Sequence, residues 1–384
     1  MNNQNNFTVT NPQVKTPYYC FNDDIFIQNV QMMKQKLQGK VKLCYSLKAN
    51  PWFIESAKKN CDYIEVCSPG EFEICLKSKV PMKQISVGGI SKTELECQKI
   101  AFNSPHRVSV ESLLQIDLLE RSAAIYNSSL SILLRLTSGN QFGMPIEMIK
   151  KIYNDENKYP HLKIRGIHYY PGTQKKKIED AKKLIKTLTE VSTIPKVKEI
   201  QFGAGFGVPL YTKQNNSEFN SYIEYIIDNI IKLAERCELV LECGRFLTYS
   251  TGGYVTTILE TKEQCDRKFL IIDGGIHHLS YYGQIDGHQI PIIRKVGCEN
   301  GAMETYTICG SLCTTNDILA KNILLPIVHE GDQLIFFNVG AYSVTESRAL
   351  FLSRELPTIV LKYGIEDIIK RKPFQTYQLN SFIL

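Results

Sequence analysis

The sequence predicts an α/β chain in which a (β/α)8, TIM-like barrel is followed by an all-β domain. Three observations predict it. From residue 41 onward, short β-rich runs alternate with helix-period segments until eight such runs have passed. After Arg245 the alternation stops, and strand-like runs crowd together with little helix between them. The 384 residues are too many for one small core and suit about two domains.

The eight runs start near Val41 (VKLCYSLKA), Tyr63 (YIEVCS), Ile85 (ISVGG), Arg107 (RVSVES), Ser131 (SILLRL), Ile164 (IRGIHYY), Glu199 (EIQFGAG) and Glu238 (ELVLECG). Each is short and rich in apolar and β-branched residues, as buried strands are. Between them lie segments such as 179–191 and 221–237. In the second, Tyr222, Tyr225, Ile226, Ile230 and Leu233 recur at helical spacing and predict one apolar face. A doubly wound open sheet is the rival reading of the same rhythm. Beyond Arg245 the runs YVTTILE, KFLIIDGG, QIPIIRKV, TYTICGS, QLIFFNVG and TIVLKY predict strands. The stretch Thr16 to Phe21 is extended and apolar as well. The boundaries expected are an N-terminal segment, 1–21, contributing to the β-domain, a barrel at 22–247, and the β-domain proper at 248–384.

Composition narrows the function. Hydrophobic residues make up 43% and charged residues 22%, which fits a globular protein rather than a disordered one. The net charge of +6 is scattered, and its densest run, Lys175-Lys176-Lys177, is too short to suggest a nucleic-acid surface. None of the twelve cysteines forms a Cys-x-x-Cys pair, so no metal site is expected. Several cysteines lie inside apolar runs, as free thiols of a reducing, cytoplasmic compartment do. The polar start, Met1 to Asn11, lacks the apolar core of a signal peptide. No stretch approaches 18 apolar residues, so no membrane span is expected.

Barrel enzymes gather their chemistry at the C-terminal ends of the strands. The first run ends in Lys48-Ala49-Asn50, and the second near Glu65 and Ser68. The sixth ends in His168, Tyr170, Gly172 and Thr173, the seventh in Gly203 to Gly207, and the eighth in Glu242, Gly244 and Arg245. Lys48 follows an apolar run, where a desolvated amine with a lowered pKa forms Schiff bases. The glycine loop is either a tight turn or a phosphate cradle of backbone N–H groups. Glu242 is either an ion-pair partner of Arg245 or a functional carboxylate, and His168 either a core histidine or a ring-stacking one. Taken together they suit a phosphorylated aldehyde cofactor, bonded by lysine, stacked on a ring and paired with a carboxylate.

At this point the chain resembles a known family. Tyr45-Ser46-Leu47-Lys48-Ala49-Asn50 is similar to the Y-x-x-K-A-N motif of the fold-type III, pyridoxal-phosphate-dependent decarboxylases, which include the diaminopimelate and ornithine decarboxylases. The resemblance continues in order. Glu65 to Ser68 resembles the acidic segment after strand two, and Gln141-Phe142-Gly143 the K-F-G segment. His168-Tyr169-Tyr170-Pro171-Gly172-Thr173-Gln174 resembles H-x-H-I-G-S-Q, Gly203 to Gly207 resembles G-G-G-F-G, and Glu242-Cys243-Gly244-Arg245 resembles E-P-G-R. Further on, Cys309 to Cys313 resembles G-P-x-C, and Gly340-Ala341-Tyr342 resembles G-A-Y. The resemblance implies pyridoxal 5'-phosphate as cofactor, with Lys48 bonded to its aldehyde, Glu65, His168 and Tyr170 around it, and Glu242 paired with its ring nitrogen. It implies that Gly205, Gly244, Arg245, Thr173 and Tyr342 hold the phosphate. It also implies a homodimer in which Cys313 reaches in from the partner as general acid.

Departures from the family pattern concern the substrate. The second histidine of H-x-H-I-G-S-Q is Tyr170, which shares a strand face with His168. An acidic residue follows the cysteine in the ornithine and diaminopimelate enzymes, and here it is Thr314. Tyr281 stands where the diaminopimelate enzymes carry a carboxylate-reading arginine. The stretch Cys313 to Asp317 and the tail Phe351-Leu352-Ser353 resemble the branch found in siderophore and antibiotic pathways. The expectation is decarboxylation of an amino acid or of a conjugated, carrier-linked one, with Thr314, His277 and Tyr281 reading its distal half; packing of the β-domain is the other reading of His277 and Tyr281. The alternatives are diaminopimelate decarboxylase itself and a non-catalytic binding relative. An alanine-type racemase shares the barrel but prefers an unprotonated ring nitrogen, which Glu242 opposes.

Overall fold

The structure is a computed structural model that describes residues 13–297 and 301–381. The first twelve residues of the N-terminal segment thus lie outside the described residues. The chain divides into two compact units. The barrel unit comprises Asn29–Val208 and Asn216–Phe246, and the sheet unit comprises Met1–Gln28, Pro209–Asn215 and Leu247–Leu384.

The chain opens with β1 (Tyr18–Asn22) and α1 (Asp23–Leu37). The barrel strands follow as β2 (Lys42–Ser46), β3 (Tyr63–Val66), β4 (Ile85–Val87), β5 (Arg107–Val110), β6 (Leu130–Leu136), β7 (Leu162–Tyr169), β8 (Glu199–Gly203) and β9 (Glu238–Cys243). All neighbours pair in parallel, and β9 closes on β2 with Glu242 opposite Cys44. The expected (β/α)8 barrel is therefore present, and the open-sheet rival is excluded. Strand one is shorter than its sequence suggests: β2 stops at Ser46, and Lys48 sits on the helical turn Leu47–Ala49 that follows.

Helices cover the barrel, and several carry their own start signals. Thr93 and Glu96 form a reciprocal capping box at the helix Glu94–Asn103, and Ser68 and Ser112 cap the helices Pro69–Lys77 and Leu113–Ile125. The long helix Asn216–Leu233 buries Phe219, Tyr222, Ile223, Ile226, Ile227, Ile230 and Leu233. Tyr225 lies at the margin of that stripe, about 60° behind Tyr222 at 100° per residue, so it is not the core residue expected.

At the N-terminal ends of the strands, Arg107 and Glu199 open β5 and β8 and pair inside the barrel. Arg107 Nε donates to Glu199 Oε2 at 2.7 Å. This pair closes the barrel floor, at the end opposite the one where barrel chemistry gathers.

The sheet unit is built from β10 (Gly252–Gln264), β11 (Arg267–Ile272), β12 (Ile293–Lys295), β13 (Met303–Cys309), β14 (Ile318–Pro326), β15 (Gln333–Phe337), β16 (Thr358–Tyr363) and β17 (Glu366–Arg371). The main path runs β14-β13-β11-β10-β1-β16-β17, with β15 joined to β10 and β12. The N-terminal strand β1 lies between β10 and β16. A core of Tyr18, Cys20, Val255, Ile335, Phe337 and Val360 packs on one face. Among the described residues, no helix is long and apolar enough to cross a membrane.

Candidate active site

The K-A-N turn after β2 is held rigidly. The Tyr45 hydroxyl donates to the Asn50 carbonyl at 2.7 Å, and the Asn50 side chain accepts from Trp52 N at 3.1 Å. The tyrosine and asparagine of the motif thus brace the turn that carries Lys48. Lys48 Nζ lies 3.1 Å from both Glu65 oxygens and 3.2 Å from Cys67 Sγ. The amine therefore faces a carboxylate and a thiol, not the apolar surroundings its sequence neighbours suggest. Burial by itself pushes the Glu65 carboxyl upward. The Lys48 ammonium, with hydrogen bonds from Ser46 and Cys67, overcomes this and brings it down to about 2. Cys67 Sγ donates to Glu65 Oε1 at 3.0 Å, and burial holds its thiol well above the ordinary range. Cys67 is a site residue that motif reading missed; its only signal is a position two residues beyond Glu65.

The ends of β7 and β8 are zipped together. Lys175 N donates to Gly205 O at 2.8 Å, and Gly207 N donates to Lys175 O at 2.9 Å. Gly205 has φ +64, and a Cβ there would stand 2.2 Å from the Gly172 carbonyl oxygen. Only glycine fits that approach. A Cβ on Gly203 would lie 2.3 Å from the Tyr170 ring and 3.6 Å from Glu242 Oε2, so the tyrosine lies directly against the glycine. Burial raises the Tyr170 hydroxyl, while nearby Lys48 and a hydrogen bond with Thr173 oppose the rise. Tyr170 thus hydrogen-bonds Thr173 and lies within electrostatic reach of Lys48. His168 lies deeper, with Nδ1 2.7 Å from Ser109 Oγ and Nε2 3.1 Å from Glu242 Oε1.

Glu242 makes its contacts inside the barrel. Gln201 Nε2 donates to Glu242 Oε1 at 2.5 Å, and Ser86 Oγ donates to Gln201 Oε1 at 2.9 Å. An ion pair with Arg245 was one reading of the spacing, whereas the observed partners are Gln201 and His168. Gly244 brings the end of β9 against Ala49 and Ser46, and Arg245 is buried just after it. Nearby on the rim, Gly143 N donates to Glu111 Oε2 at 2.8 Å, and Arg135 pairs with Glu111 and lies 4.3 Å over the Phe142 ring. This explains the Gln141-Phe142-Gly143 segment as a brace between strand ends.

The remaining candidates lie in the sheet unit. Cys313 is exposed on the turn between β13 and β14. That turn is built on buried Asp317, whose carboxylate accepts from Leu312 N and Ile276 N, each at 2.8 Å. Thr314 Oγ1 accepts from Asn316 N at 3.4 Å within the same turn. Tyr342 follows Gly340-Ala341 with φ +66. Tyr281 and His277 depart from the substrate-reading expectation. The Tyr281 hydroxyl donates to Phe337 O at 2.6 Å inside the unit, and the buried His277 ring lies 3.8 Å from that of His278. Burial lowers His277 to about 3. Both side chains are buried within this unit, as the packing reading expects.

The barrel residues fit a phosphorylated aldehyde cofactor: an amine on a braced turn, glycines whose missing Cβ atoms leave a cradle, a flat ring, and an oriented carboxylate. Among the described residues, no cluster of side chains has the makings of a metal site.

Comparison with known proteins points the same way. A family model described as "Pyridoxal-dependent decarboxylase, C-terminal sheet domain" matches residues 18–340. An L-glutamyl-[BtrI acyl-carrier protein] decarboxylase of Niallia circulans is 24% identical, over 96% of this chain and 94% of its own length. A 2-[(L-alanin-3-ylcarbamoyl)methyl]-2-hydroxybutanedioate decarboxylase of Staphylococcus aureus is 25% identical, over 86% of this chain and 90% of its own. Among solved structures, diaminopimelate decarboxylase from Helicobacter pylori, complexed with L-lysine, superposes with a TM-score of 0.83 at 21% identity, covering 96% of each chain. That likeness establishes the fold.

Proposed function

The chain belongs to the pyridoxal-dependent decarboxylases, and from that premise we propose that it removes CO2 from an amino acid whose side chain is conjugated to a further group. Its cofactor is pyridoxal phosphate. The observation that carries the assignment of the site is the convergence of Lys48, Glu65, Tyr170, Gly203 and Glu242 on one barrel rim.

Bound pyridoxal phosphate supplies an aldehyde that bonds amines and a protonated ring that draws electrons from the bond to the leaving carboxylate. The protein's residues do the rest. Lys48 offers its amine to the aldehyde, and Glu65 positions that amine through its hydrogen bonds with Nζ. Tyr170, lying on Gly203, presents a flat face for the ring, a role that His168 is too deep to fill. Glu242 offers an acceptor to the ring nitrogen. Gly205, Thr173, Gly244 and Arg245 hold the phosphate. Cys313 Sγ, from the partner subunit of a homodimer, gives a proton to the carbon that has lost CO2.

The conjugated substrate is supported by what stands beside the cysteine. Thr314 cannot neutralise a distal ammonium, and its hydroxyl serves its own turn. Tyr281, at the position of the carboxylate-reading arginine, is spent on packing. The names of the Niallia and Staphylococcus relatives, one carrier-linked and one amide-linked, agree with this. The test is CO2 release from purified protein given a panel of carrier-linked glutamyl, amide-linked and free amino acids. Release from conjugates is expected; release from free diaminopimelate alone would sink the proposal. The second reading, diaminopimelate decarboxylase, draws on the several relatives with that name.

A further inference from the structure

We propose that Gln201, held by Ser86, is the positioning residue that turns Glu242 toward the cofactor ring. The proposal rests on the reading of Glu242 given above. It concerns residues that no motif singled out.

The hydrogen-bond chemistry fixes the direction of the arrangement. A carboxylate only accepts, so the Gln201 atom 2.5 Å from Glu242 Oε1 must be the amide nitrogen. The amide oxygen then faces Ser86, whose hydroxyl must donate, at 2.9 Å. A flip of the Gln201 amide would set its oxygen against the Glu242 carboxylate and lose the donor to Oε1, which holds the amide in this orientation. A second arm approaches the same oxygen. Ser109 Oγ lies 2.7 Å from His168 Nδ1, and His168 Nε2 lies 3.1 Å from Glu242 Oε1, off the line of a hydrogen bond. The second arm thus supplies proximity, whereas the first supplies an aligned donor. The five residues come from β4, β5, β7, β8 and β9, and all are buried. The aligned donor sits on Oε1, and Oε2 is left on the side of Gly203 and the Tyr170 ring. Among the described residues, Cys44 on β2 and Tyr170 also feel the Glu242 charge. Neither competes as a donor to Oε1. Tilting the carboxylate plane away from this orientation would break the bond from Gln201 Nε2, so Gln201 opposes the tilt.

The test uses the holoprotein loaded with ring-15N pyridoxal phosphate. The 15N shift, followed across pH, reports protonation of the ring nitrogen. In Gln201→Leu, which keeps bulk and removes the donor, the midpoint is expected to fall by about one unit, a tenfold change in the protonated ratio. We expect kcat to fall on the order of tenfold with KM little changed. Ser86→Ala does not touch Glu242, so its smaller shift should vanish in the Gln201→Leu background. Were Gln201→Leu to fail to fold, Ser86→Ala alone decides: a lowered midpoint supports the role, and an unmoved one overturns it. A wild-type protein that loads and reacts, yet whose ring nitrogen ignores both substitutions, overturns the positioning role alone. A wild-type protein that takes up no pyridoxal phosphate overturns the reading of the site, and this role with it.

Discussion

Lys48 and Glu65 stabilise one another before any cofactor arrives, and the consequence is measurable in the cofactor-free protein. The Glu65 side chain is 4% exposed and the Lys48 side chain 39%. Burial favours the neutral carboxyl, yet the nearby ammonium holds it down to about 2, below the unfolded value of about 4.5. A carboxyl depressed in the folded state contributes stability that is present above the unfolded pKa and is lost as pH falls through the folded one. In Lys48→Ala the carboxyl is buried without its cation. Urea unfolding should show a loss on the order of 1 kcal/mol at pH 7, kept small because the amine end is open to water. The gap should close between pH 4.5 and pH 2, and an equal gap at both ends would show the pair to be uncoupled. The same variant should lose the cofactor's imine absorbance and fall in activity by more than about a thousandfold. The lysine, both carboxylates and the glycine loop were legible as candidates in the sequence because each lies near or just past the end of a strand-like run. The choice between His168 and Tyr170 was not, since residues two apart on a strand share a face. Only the depth of β7 in the barrel, with His168 bonded to Ser109 and Tyr170 one residue past the strand, separates them.

Strands and helices were legible where a local pattern encodes them. The barrel strands are continuous apolar runs and start within two residues of their expected places. Two strands of the sheet unit were missed for physical reasons. In β14 the apolar run is broken by Lys321 and by Asn322, which has φ +54, and β17 is a charged strand at the end of its sheet path. The floor of the barrel could not be read at all, because Arg107 and Glu199 are 92 residues apart and meet only when the barrel closes. Burial raises the Glu199 carboxyl, and Arg107 opposes the rise. Removing one member of such a pair strands the other's charge in the interior. Arg107→Met should therefore cost about 3–5 kcal/mol of unfolding free energy, and replacing both with apolar residues should recover most of it. Because the pair lies at the end away from the rim, kcat of the folded fraction should be unchanged in both variants. A fall in kcat at full folding would show that the floor sets the geometry of the strand ends above it.

At the scale of the molecule, the proposed active site requires two chains. Cys313 stands exposed on a turn of the sheet unit, and Asp317 orders that turn through two backbone N–H groups. An ordered loop that presents an exposed thiol suits delivery of that thiol to another subunit's barrel. In the proposed homodimer, two-fold symmetry would make each site a composite of Lys48 from one protomer and Cys313 from the other. This predicts complementation between two inactive proteins. Lys48→Ala and Cys313→Ala homodimers should each be nearly inactive, because neither has a complete site. After mixing in equal amounts and subunit exchange, about half of the dimers are mixed, and each mixed dimer has one intact site of two, so about a quarter of wild-type activity should return. Recovery should follow the rate of subunit exchange measured by mass spectrometry. If Lys48 and Cys313 served the same site from the same chain, every site in the mixture would still lack one of them, and no activity would return at any exchange time. The outcome separates a shared site from a self-contained one without knowledge of the natural substrate, because any conjugate that releases CO2 from the wild-type protein is a sufficient probe.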